Sequence, residues 1–269
     1  MINIKLGLSR LLLGSFVVIC ACSVCVFAAD DNTVVFDEFQ YLPSDTVSQD
    51  INSALSKAKQ SNKLFLLVFG AQWCHDSRGL AAKFSDKTMY SLLQANYEIL
   101  FVDVGYLEDK RALMQRFSYP GYFGTPTLLV IEPNSERLLN YDSVSKWQSA
   151  DSVPMDDYLS YFADFPNRLL NELSPAISEY YASQIEAFEN RQIERLFHAY
   201  SKLGPMLKGY KEDTLDSDEE FNAAWVEVRK FRTQLQQDLI SLRHQAQLQD
   251  KTNRRQPLVL PKYPEFTHL

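Results

Sequence analysis

Leu64-Phe65-Leu66-Leu67-Val68-Phe69 is an unbroken apolar run of strand length, with Lys63 before it and Gly70 after it. Successive side chains of a strand point to opposite faces, so a run without a polar position has no face to offer water. Such a strand belongs inside a sheet that is covered on both sides. Two more apolar runs follow, Tyr97–Val104 and Leu128–Ile131, the second opened by Gly124-Thr125-Pro126-Thr127. Helical patterns lie among them. Ile51, Ala54, Leu55 and Ala58 share one helix face after the turn residues Ser44 and Asp45, and a second pattern runs through Leu80, Ala81 and Phe84. Glu108–Phe117 reads as a short helix. Pro133-Asn134-Ser135 is a turn from which Arg137–Tyr141 can pair back as a fourth strand, and Asp156–Phe165 reads as a closing helix. Helices alternating with apolar strands predict an α/β layer architecture.

After Pro166 the texture changes. Residues 167–250 hold helix formers in three stripes: Leu169, Leu170, Leu173 and Ile177; then Ile185, Phe188, Ile193, Leu196 and Phe197; then Trp225, Val226, Val228, Phe231, Leu235, Leu239 and Leu242. Lys211–Glu220 is an acidic connector between them. This part reads as an α-helical extension, and 251–269, rich in proline, as an irregular tail. The stripes could pack on the first part or form a seam between copies, and nothing in them decides.

Residues 1–29 read as an export signal. Lys5 and Arg10 form a positive start, Leu11–Phe27 carries no charge, and Ala28-Ala29 offers small residues before Asp30. Retention of Leu11–Ala29 as an anchor, or lipidation at Cys22 in Ile19-Cys20-Ala21-Cys22, stays open. In each case residues 30–269 are expected outside the cytoplasmic membrane, in the periplasm, and any membrane contact runs through the N-terminal segment alone. Net charge is −7, and setting Lys5 and Arg10 aside makes the remainder more acidic still. That balance excludes a basic nucleic-acid surface. Of four cysteines, Cys20, Cys22 and Cys25 lie in the leader, which leaves Cys74. A lone thiol in an oxidising compartment is either buried and inert or exposed for chemistry between molecules.

Trp73-Cys74-His75-Asp76-Ser77 follows the apolar strand directly and starts a helix. Unpaired amides and the positive end of the helix dipole there favour a thiolate. This strand, Trp-Cys-x-x, helix arrangement resembles the active-site loop of the thioredoxin superfamily, and Gly124–Thr127 resembles that family's cis-proline loop. The resemblance spans about Asn32 to Phe165. It implies a thioredoxin-like fold, a central mixed sheet flanked by helices, and places Pro126 cis beside the cysteine with Thr125 docking the substrate chain. More narrowly, the chain resembles bacterial envelope thioredoxin-like proteins with a Trp-Cys-His-Asp-Ser-Arg motif.

The departures restrict the chemistry. Ser77 stands where the usual second cysteine would, and Val68 where many relatives carry a buried acid. A serine can hydrogen-bond a thiolate but cannot release a mixed disulfide, so the two-cysteine cycle is unavailable within the chain. One-thiol exchange with protein thiols or disulfides, or with a small thiol, is the expectation: Cys74 as nucleophile, Ser77 as its hydrogen-bond donor, Trp73, His75, Thr125 and Pro126 around the substrate. The alternative is a non-catalytic binding or assembly module that uses the helical extension. No metal or cofactor is expected, since His198, His244 and His268 are scattered and no Gly-rich phosphate loop is present.

Overall fold

A computed structural model describes residues 39–168, 177–252 and 255–269. Along them run α1 (Val47–Ser61), β1 (Leu64–Gly70), α2 (His75–Phe84), α3 (Lys87–Asn96) and β2 (Tyr97–Asp103). Then come α4 (Arg111–Gln115), β3 (Thr127–Glu132), β4 (Arg137–Leu138), a 3-10 stretch (Tyr141–Ser152), α5 (Met155–Arg168), α6 (Glu179–Lys211) and α7 (Glu219–Lys251). The strands form one mixed sheet in the order β2-β1-β3-β4. β1 is parallel to β2, with Leu64 opposite Tyr97 and Gly70 opposite Asp103, and antiparallel to β3, with Phe65 opposite Ile131. This is an α/β thioredoxin-like fold with a helical extension.

Every residue of β1 is buried. Phe65, Leu67 and Phe69 join Leu55, Leu129 and Ile131 in one apolar cluster, while Leu64, Leu66 and Val68 join Phe84, Val130 and Trp147 in another. The unbroken apolar run is therefore two alternating sets, one for each face of the sheet. The first cluster continues into α6 and α7 through Phe188, Leu196, Tyr200, Val228 and Leu235, so the extension and the sheet share one core. α6 and α7 run antiparallel. Tyr210 stacks on Phe221 near their connector, and at the far end the Tyr181 hydroxyl donates to Gln249 Oε1 at 2.7 Å.

Several elements differ from the sequence reading. α3 buries only Met89 and Leu93, too sparse a pattern to announce a helix. Asp86 fixes its start by accepting the amide N–H groups of Thr88 and Met89. The fourth strand stops at Leu138 because a side chain takes over the ladder. Asn140 Oδ1 accepts Val130 N–H at 2.8 Å, and its Nδ2 donates to Leu128 O at 2.9 Å. The chain then turns into the 3-10 stretch, which buries Val144 and Trp147.

The third stripe is α7, but Val226 lies exposed on it. Leu169, Leu170 and Leu173 of the first stripe lie outside the described residues, as does the whole of 1–29. Among the described residues the tail has no helix or strand beyond α7, yet it is fastened down. Tyr263 and Phe266 pack edge-on to Phe231 at 5.0 and 5.3 Å, and Glu227 accepts the backbone N–H groups of Thr267 and His268. No helix among the described residues is long and apolar enough to cross a membrane.

Candidate functional site

β1 delivers the chain to the site through Gly70. A Cβ there would lie 2.4 Å from the Tyr41 ring and 2.7 Å from Ser77 Oγ, so only glycine fits. Ala71 to Cys74 make a tight turn, closed by Cys74 N–H donating to Ala71 O at 3.1 Å. Cys74 is the N-cap of α2, in extended conformation, and its side chain caps nothing. The half-buried thiol instead donates to the Thr125 carbonyl at 3.2 Å. The Thr125–Pro126 peptide bond is cis, and Pro126 is buried behind Thr125. Two motifs distant in sequence thus meet at one sulfur.

Ser77 is fully buried, and its Oγ accepts Ala71 N–H at 3.3 Å. No hydrogen bond joins it to Cys74 among the described residues. The Tyr41 hydroxyl is buried beside Ser77 in no hydrogen bond of good geometry, and burial pushes its pKa well above the usual phenol value. Val68 belongs to the apolar cluster on the same side. His75 points outward, 72% exposed, with Nε2 3.6 Å from Asp151 Oδ2, and does not line the cleft around Cys74. Asp76 Oδ1 accepts Asp151 N–H at 3.2 Å, which ties the start of α2 to the 3-10 stretch.

Trp73 serves both packing and site. Its indole N–H donates to Gly105 O at 2.7 Å, its ring stacks on Tyr106, and its open side faces a cleft of about 530 Å³. Cys74, Gly124 and Thr125 line one wall of that cleft. The other wall is α7, which contributes Trp225, Arg229, Arg232, Thr233, Gln236 and Gln237. Arg232 lies over the Trp225 ring at 5.2 Å and donates to the Tyr200 hydroxyl, and Gln236 Nε2 donates to the Tyr119 hydroxyl at 3.0 Å.

The sequence reading missed this wall. Trp225 belonged to an apolar stripe, and spacing cannot say that its ring ends at a cysteine 151 positions earlier. Arginine and glutamine on a helix read simply as its solvated side.

Residues 46–133 match a family model described as thioredoxin-like. The crystal structure of a disulphide isomerase from Xylella fastidiosa Temecula1 is 25% identical, covering 49% of this chain and 95% of that one with a TM-score of 0.42. A search of curated proteins returns no match. The similarity to thioredoxin-like proteins thus covers residues 46–133, about a third of the chain.

Proposed function

We propose that the protein carries out thiol–disulfide exchange on protein substrates through Cys74 alone. The observation that carries this reading is the placement of the thiol: it stands at the N-terminal end of α2, contacts the Thr125 carbonyl and opens on the cleft. The Cys74 thiolate attacks one sulfur of a client disulfide. A bond forms between Cys74 and that sulfur while the client S–S bond breaks, and the second client sulfur leaves as thiolate. A client thiol then attacks the captured sulfur and returns Cys74 to its starting state. The net reaction is isomerisation and consumes no electrons. Ser77 supports the loop in this cycle by accepting Ala71 N–H.

The leader-like residues 1–29 and the lone remaining thiol support a periplasmic setting, where client disulfides exist. Capture tests the reading. Cells producing the full chain are quenched with an alkylating agent and proteins separated without reductant. Reductant-sensitive adducts that vanish in Cys74→Ser are expected, and their absence would sink the proposal.

A second reading, binding without catalysis, draws on the buried Ser77, which leaves no second sulfur to release a client. It requires partners retained equally by wild type and Cys74→Ser.

A further inference from the structure

The charge inside the cleft is opposite to that of the protein. The chain is acidic overall, with net charge −7. Yet Arg229 and Arg232 both line the cleft, and neither has a carboxylate partner among the described residues. Arg229 is exposed. Among the described residues Arg232 meets the Trp225 ring and the Tyr200 hydroxyl. Asp76 is the single carboxylate lining the cleft, and it is engaged with Asp151 N–H. Lys146 on the far wall lies 3.6 Å from Asp157 and leaves the arginines as the unneutralised charge. Gln148, which also lines the cleft, has a buried side-chain Nε2 with no acceptor.

The wall is also long. Trp225, Arg229, Arg232 and Gln236 follow one another along a single face of α7, about 16.5 Å from first to last at a helical rise of 1.5 Å per residue. An extended chain rises about 3.3 Å per residue, so about five residues span it. A single amino-acid thiol would use only part of that length.

Building on the exchange reading above, we infer that α7 makes the cleft selective for an extended client segment bearing carboxylates near its reacting cysteine. The client sulfur sits at Cys74 and its backbone lies beside Thr125. Its acidic side chains reach Arg229 and Arg232. Charge complementarity of this kind sets partner choice and encounter rate more than final affinity.

The test uses pentapeptides with a central cysteine held as a thiopyridine disulfide, flanked by aspartate, asparagine or lysine. Attack by Cys74 releases thiopyridone, which carries away the proton and is read by absorbance. The aspartate peptide is expected to react faster than the asparagine peptide by about threefold for each arginine engaged, and the lysine peptide slower. High salt should compress the series. Arg229→Glu should abolish the advantage of the aspartate peptide over the asparagine peptide, because the new carboxylate offsets the remaining Arg232. Equal rates for all three peptides would overturn the inference and leave the exchange reading standing. No release from any peptide would overturn the exchange reading itself.

Recognition is then read without chemistry. Peptides with serine for cysteine are titrated against the Trp73 and Trp225 fluorescence, and tighter binding of the acidic one is expected. An acidic single amino-acid thiol with the full preference of the pentapeptide would contradict the extended-segment claim.

Discussion

Trp225 of α7 meets Trp73, the residue before Cys74, edge to face, with ring centres 6.4 Å apart and planes at 82°. That contact makes the helical extension part of the site. Behind it, Trp73 stacks on Tyr106, and the Tyr106 carbonyl lies against Gly204 of α6. α7 therefore touches the loop that presents the thiol, and α6 backs Tyr106, on whose ring Trp73 stacks.

Trp225→Ala should open the cleft. The ring also carries the Arg232 guanidinium, so its loss frees that side chain. Stability is expected to fall by about 2 kcal/mol, below the cost of truncating a fully enclosed aromatic because one side of this ring faces the cleft. Alkylation of Cys74 should become faster. A denaturation midpoint and an alkylation rate both unchanged would show that α7 does not wall the site.

Gly204→Ala should push α6 off Tyr106. A Cβ at 204 would stand 2.3 Å from the Tyr106 carbonyl oxygen, backbone that cannot rotate away. A loss of about 1–3 kcal/mol is expected, with a shift in Trp73 fluorescence as Tyr106 moves. Wild-type stability and an unchanged spectrum would contradict the close packing.

How much of this was legible beforehand follows the physics of each signal. The run Leu64–Phe69 announced a strand buried on both faces because burial on both faces removes polar positions. Cys74 and Thr125 were legible as a pair through the resemblance of their two local motifs, in that order, to the thioredoxin superfamily. β4 ended early because the side-chain amide of Asn140 replaced ladder bonds, which no periodicity records. The place of Ser77 was not legible either. Its sequence position beside the thiol suggested a bond to sulfur, but helical geometry turns it inward to Ala71 N–H. The α7 wall depends on long-range packing that lies beyond any local pattern.

Ser77→Ala separates these two roles. Removing the hydroxyl strips the buried Ala71 N–H of its acceptor, a loss of about 1–3 kcal/mol in unfolding free energy. Cys74 should still exchange in the folded protein. Loss of exchange with stability intact would instead assign Ser77 to the thiol.

The tail should loosen in acid. Hydrogen bonds from Thr267 and His268 hold the Glu227 carboxyl below the usual range. A carboxylate with a depressed folded pKa stabilises fully above its unfolded value of about 4.3, and that contribution fades as pH falls through the folded value. Amide exchange at Thr267 and His268, corrected for its intrinsic pH dependence, should speed up on acidification below about pH 4.3. In Glu227→Gln that dependence should disappear. Equal pH profiles in the two proteins would remove Glu227 from the clamp.

Reaction of the folded chain with a neutral dithiodipyridine, followed by thiopyridone release, tests the role of Cys74 most directly. Cys74→Ser serves as the blank for Cys20, Cys22 and Cys25. The account predicts Cys74-dependent release from the native protein, with a mixed disulfide at that residue. Cys74-dependent release that appears only after unfolding would contradict it and leave the cysteine a packing residue.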